Sequence, residues 1–177
     1  AAEPLAMLER KVREIEAILA ELHESAQPWR PVLLPFPLDE LLGAARTALL
    51  DAARERQVEV QVEPMAGALE VQVDPPRLKQ ALLNLGRIAV EASVPGATVV
   101  MRGGRAPDGR GWVEIVDERQ VTPENEADFA AGGGRGARRR LAIARRTIEA
   151  HGGVLQVERR TPRGARARVE LPASCVV

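Results

Sequence analysis

Tyrosine is absent from this sequence, and aromatic residues make up only 2% of it. So thin a supply gives no stacking platform for a nucleobase and no aromatic interleaving for a nucleic-acid surface. Cysteine is almost missing as well. Cys175 stands alone near the C-terminus, which excludes an internal disulfide and a cysteine-based metal site. There is no excess charge of either sign: 25 Lys and Arg balance 25 Asp and Glu. Any attraction to a polyanion or an anionic membrane must therefore be local. No apolar run reaches the roughly 18 residues of a membrane span, and no signal-peptide pattern opens the chain. A cytoplasmic location is expected. The opening AAEPL lacks methionine, as a piece of a longer protein would.

What is present suits a soluble domain: 177 residues, 45% hydrophobic and 28% charged, enough for one core with a helical appendage. In that appendage Leu5, Leu8, Val12, Ile15, Leu19 and Leu22 recur in alternating steps of three and four, the seam pattern of a coiled coil. A homodimer through this seam is expected, with a lone amphipathic helix as the alternative. Residues 1–27 form this dimerisation helix. The prolines at 28, 31, 35 and 37 deny helix and mark residues 28–37 as an extended linker.

The domain expected over 38–177 alternates helical and strand-like patterns. A helix is predicted from Leu38 to Arg56, and period-two runs around Val58 to Val62 and Leu69 to Val73 predict strands. Asp74 and Pro75 open another helix, with Leu78, Leu82, Leu85 and Ala89 on its buried face. Strands at Ala97 to Arg102 and Trp112 to Val116 flank a turn with Pro107, Asp108 and Gly109. A glycine-rich stretch runs into a helix from Arg138 to His151, and strands at Val154 to Glu158 and Ala165 to Leu171 close the chain. This order predicts an α+β fold: a two-layer α/β sandwich on a mixed, mainly antiparallel sheet.

Four stretches in sequence order carry a resemblance. DPPRLKQALLNLGRIAVEAS, from Asp74 to Ser93, resembles the N box of sensor histidine kinase ATP-binding domains. WVEIVDERQ is similar to the strand entering their G1 box. GARRRLAIARRTIEAHGGVLQV is similar to the G2 box and its helix, and PRGARARVELP to the closing strand. The resemblance implies a Bergerat-type ATPase fold, preceded by part of a dimerisation hairpin. It also implies how ATP would be held: oxygen ligands for Mg²⁺, a carboxylate reading the adenine amino group, and glycines over the phosphates.

Placed on this sequence, the pattern keeps Asn84, Asp117 and Gly136 as nucleotide-site positions. Elsewhere it is broken. The asparagine that is the family's principal Mg²⁺ ligand falls on Ile88, which has no lone pair to offer. The G1 glycines fall on Arg119 and Val121, and the later G2 glycines on Arg138 and Arg140. A valine resists the φ > 0 that glycine permits, and bulky side chains keep backbone away from a phosphate. The family's small hydroxyl residue falls on Ala165 or Arg166. The resemblance thus implies a degenerate domain, with no metal and no cofactor expected unless Mg²⁺-ATP still binds.

Two histidines remain. His151 belongs to the Ala-His-Gly-Gly turn, where Gly152 permits a left-handed cap and the ring is structural. His23 opens HESAQP, similar to the His-Glu-x-x-x-Pro skeleton of a phosphoacceptor box. No room follows for a second hairpin helix, and an ordinary polar residue flanking the seam is the preferred reading. Arg135, Arg138, Arg139 and Arg140, with Arg145 and Arg146, make a basic helix face. That face reads as a docking surface for an acidic partner, or else as a solvated side. The function expected is a non-catalytic two-component module: a pseudo-kinase dimer that docks a response-regulator receiver domain or a partner kinase, with phosphotransfer if a phosphoacceptor helix is present. Alternatives are an active kinase with an aberrant site, or a basic nucleic-acid-binding protein on the same scaffold, which the neutral total disfavours.

Overall fold

A computed structural model describes residues 29–119, 134–160 and 163–177. The chain divides between Arg30 and Pro31, and every element below belongs to the unit Pro31–Val177. The seam from Leu5 to Leu22, His23 and Val121 lie outside the described residues.

Strand β1 (Leu34–Pro37) carries two prolines, whose fixed φ suits extended backbone and whose missing N–H suits an edge. It pairs antiparallel with β3 (Glu70–Val73), Leu34 opposite Val73 and Pro37 opposite Glu70. The linker expected over 28–37 therefore ends sooner, because its last residues find a strand partner. Helix α1 (Leu38–Arg56) begins at once, with Asp39 and Glu40 in its first turn and Arg54 and Arg56 in its last, each matched to the helix dipole. It buries Leu38, Leu41, Leu42, Ala45, Leu49 and Ala53 along one stripe.

Helix α2 (Pro75–Ala92) opens as its sequence predicts. Asp74 accepts a hydrogen bond from the Arg77 amide at 3.3 Å, and Pro75 takes the first helical position. Helix α3 (Arg135–Ala150) starts three residues before its expected Arg138, since the arginines are good helix formers and a glycine is tolerated in a first turn. Gly136 is therefore helical rather than part of a loop.

The larger sheet runs in the order β2 (Glu59–Val62), β4 (Thr98–Arg105), β5 (Gly111–Asp117), β7 (Ala165–Leu171), β6 (Val154–Arg159). Only β2 and β4 are parallel; the other pairs are antiparallel. Helices α1, α2 and α3 pack on one face, where Val99, Met101, Val113, Ile115, Val169 and Leu155 meet them. Strand alternation sends Arg102, Glu114, Arg166 and Arg168 to the opposite face. This is the two-layer arrangement expected, and it leaves the β5 and β7 ends nearest α2 and α3 as the walls of a cavity.

Near the other end of α3, His151 is buried and bridges two helices. Its Nδ1 donates to the Thr147 carbonyl at 2.7 Å, and its Nε2 accepts from the Asp74 amide at 3.0 Å. This ring is fully used in tying the α2 start to the α3 end. Cys175 is buried beneath the same turn, its thiol pKa pushed up by burial, so it packs rather than reacts.

Candidate functional site

Asp117 ends β5 and is only 2% exposed. A buried carboxylate needs strong partners, and it has them. Its Oδ1 accepts from the Ala165 amide at 3.0 Å and from the Arg119 amide at 3.1 Å. The Arg119 guanidinium then closes over it: Nε lies 3.0 Å from Oδ1 and 2.9 Å from Oδ2, and a terminal nitrogen also bonds Oδ2. Both oxygens are taken by one charged fork. Sequence spacing alone marks Arg119 as a lost glycine and carries no sign of its bond to the carboxylate two residues before it.

Gly164 makes this corner possible. It sits at φ +104°, and a Cβ there would come within 2.3 Å of the Asp117 carbonyl oxygen. Its amide donates to the Arg119 carbonyl at 2.9 Å. The close approach sets the β7 strand so that the Ala165 amide reaches Asp117. The only cue in the sequence is a glycine in PRGAR, which a turn alone would also explain.

Beside the Asp117–Arg119 pair lies a cavity of about 30 Å³, room for a water or two. Leu85, Ile88 and Ala89 from α2, Ile115 from β5, Leu141 from α3, and Val157, Ala165 and Ala167 from the last two strands complete its lining. Ile88, Asp117 and Arg119 thus line the same cavity. Of the two positions left open for the small hydroxyl residue, Ala165 is the one facing this cavity; Arg166 is bonded to Glu158 and Glu114 instead.

Other expected site residues lie apart from the lining. Asn84 is buried on α2, with Gln80 Nε2 3.5 Å from its Oδ1. Gly136 stands in the first turn of α3. The basic helix face is divided. Arg140 is bonded to Glu91 of α2 at 2.6 Å, and Arg145 donates to the Leu155 carbonyl at 2.8 Å. Both are structural ties rather than open docking groups, because each finds an acceptor on a packed neighbour. Arg135, Arg138 and Arg139 are exposed.

Mg²⁺ needs hard oxygen donors. The side chains that α2 turns to the cavity are apolar, and the Asp117 oxygens are occupied. Among the described residues no three His, Cys, Asp or Glu side chains converge on a metal-sized site. Among the described residues, the side chains lining this cavity offer the ion no free oxygen donor.

Residues 73–174, more than half the chain, match the family model of histidine kinase-, DNA gyrase B- and HSP90-like ATPases. The sensor histidine kinase ZraS of Klebsiella oxytoca is 27% identical over 95% of this chain, which spans 37% of that relative's length. The structure of full-length ShkA in complex with AMPPNP superposes with a TM-score of 0.70 at 26% identity, covering 84% of this chain and 32% of that one. Histidine kinase ThkA in complex with the response regulator TrrA has the same fold at a TM-score of 0.71 and 21% identity, over 94% of this chain and 49% of that one.

Proposed function

Because this chain belongs to the histidine kinase-, DNA gyrase B- and HSP90-like ATPase family, we propose that it is a two-component signalling module that no longer turns over Mg²⁺-ATP and acts by dimerising and docking a signalling partner. The observation that carries it is the α2 wall of the cavity beside Asp117, where Ile88 stands between Leu85 and Ala89 with no oxygen ligand among them. Within this reading residues 1–27 form the dimerisation helix, the domain follows the linker, and the partner is a receiver domain or another kinase.

A second reading, an active kinase, draws on the retained Asn84 and Asp117. One experiment separates the two. Calorimetric titration of the full chain with ATP and ADP, with and without Mg²⁺, is run beside thermal unfolding. A ligand at a hundred times its Kd adds roughly 2.7 kcal/mol of stability. The expected result is no heat and no shift. Mg²⁺-dependent binding followed by autophosphorylation would establish the kinase instead.

A further inference from the structure

We infer that Arg119 is an internal ligand of Asp117, and that this side chain, rather than the lost glycines over the phosphates, is what shuts the cavity to purines. The inference rests on the reading that the unmodified chain binds no nucleotide, and it names the group responsible.

A carboxylate that reads an exocyclic amino group needs a free lone pair directed into the cavity. Here the Asp117 oxygens accept from the Arg119 guanidinium, the Arg119 amide and the Ala165 amide. The guanidinium presents N–H donors at the carboxylate, as an aminopurine would, but adds a full positive charge. In a corner where Asp117 is 2% and the Arg119 side chain 15% exposed, a charge-assisted fork outcompetes a neutral amine. Arg119 belongs to the same backbone corner, tied by its carbonyl to the Gly164 amide. The contact is therefore intramolecular, and no ligand concentration is needed to hold it.

Removing the fork leaves the remaining acceptor geometry in place. The Ala165 amide and the amide of residue 119 are backbone donors, and a substitution at 119 does not delete them. Loss of the Arg119 side chain, itself part of the lining, would also open the cavity beyond the water or two it now holds. The apolar lining from Leu85, Ile88 and Ala89 on α2 and from Ala165 and Ala167 on β7 would then face a base ring. Ile88 would still supply no ligand for Mg²⁺. The block and its release therefore belong to the base end of the site, and the bound species needs neither phosphate nor metal.

The test compares the unmodified chain with Arg119→Gly in titrations with adenosine, ADP and inosine, which carries an oxygen where adenosine carries its amino group. The prediction is that Arg119→Gly binds adenosine at least about tenfold tighter than the unmodified chain does, prefers it to inosine, and gains nothing from Mg²⁺. Arg119→Gly combined with Asp117→Asn is expected to lose that gain. If Arg119→Gly fails to fold by circular dichroism, Arg119→Ala is measured in its place. Adenosine binding by the unmodified chain, equal to that of the variant, would overturn the nucleotide-free reading itself. Folded variants that stay silent beside a silent unmodified chain would overturn the role of Arg119 alone and leave that reading standing.

Discussion

At the scale of single residues, two carboxylates on β5 show how face decides role. Asp117 lies on the helix side and meets one arginine. Glu114, three residues earlier, lies on the other side, 2% exposed, and meets three. Arg168 reaches it at 2.7 Å, Arg102 at 2.9 Å and Arg166 at 3.2 Å. Burial alone would raise its pKa, but the hydrogen bonds from Arg168 and Arg102, with the charges of Arg102 and Arg166, outweigh burial and hold it below the ordinary glutamate value. A carboxyl depressed on folding stabilises above its unfolded pKa, and that stability is lost as pH falls through the folded one. Glu114→Gln should therefore cost on the order of 2 kcal/mol at neutral pH. The gap to the unmodified chain should narrow as pH falls below the ordinary glutamate range. Urea unfolding across that range checks it, and a gap independent of pH would show that shape rather than charge matters at Glu114. Neither this lattice nor the Asp117–Arg119 fork was legible in the sequence. Alternation places Arg102, Glu114, Arg166 and Arg168 on one face, but which strands are neighbours is a property of the sheet order.

At the scale of elements, periodicity and capping carried most of the fold. The stripes of α1 and α2 and the Asp74 cap follow from the local pattern, and the β7 limits were read directly from alternation. What failed was β1, whose prolines read as linker because its partner β3 lies far along the chain. Edges were also silent. Arg46 of α1 donates to the Val60 carbonyl on β2, and Arg145 of α3 to the Leu155 carbonyl on β6, so each outer strand has a carbonyl covered from a helix. Helix crossing offers a sharper test through two glycines of equal intrinsic propensity. A Cβ on Gly86 of α2 would stand 2.4 Å from Leu49 Cδ1, and Leu49 is fully buried in α1; a Cβ on Gly43 meets nothing within 4 Å. Alanine gains up to about 1 kcal/mol over glycine inside a helix, while overpacking a core costs roughly 1–3 kcal/mol. Gly43→Ala should accordingly raise stability and Gly86→Ala lower it, by a net of about 1 kcal/mol each, with opposite shifts in Tm. Equal shifts of the same sign in thermal unfolding would mean that α1 and α2 do not cross as closely as Gly86 requires.

At the scale of the whole molecule, net neutrality hides a sorted surface. Of the arginines that make α3 basic, Arg140 and Arg145 are bound to Glu91 and to the Leu155 carbonyl, and their loss would loosen the packing of α3. Arg135 and Arg138, by contrast, project from its first turn into solvent, where α3 also has no acidic residue and its amide dipole adds to the positive field. A partner with a carboxylate-rich surface would meet this end of the helix first. Charge there acts mainly on encounter rate and is screened over about 10 Å at 0.1 M salt. Reversing Arg135 and Arg138 together to glutamate should weaken binding of a receiver domain by at least about tenfold at low salt. Most of that loss should fall on the association rate, with Tm unchanged. Arg140→Glu should do the reverse, lowering Tm through repulsion from Glu91 before it changes affinity. Surface plasmon resonance at two salt concentrations, beside thermal unfolding, separates these patterns. Undiminished binding by the Arg135 and Arg138 double variant would move the docking surface away from α3, toward the parts of the molecule outside the ATPase-like domain.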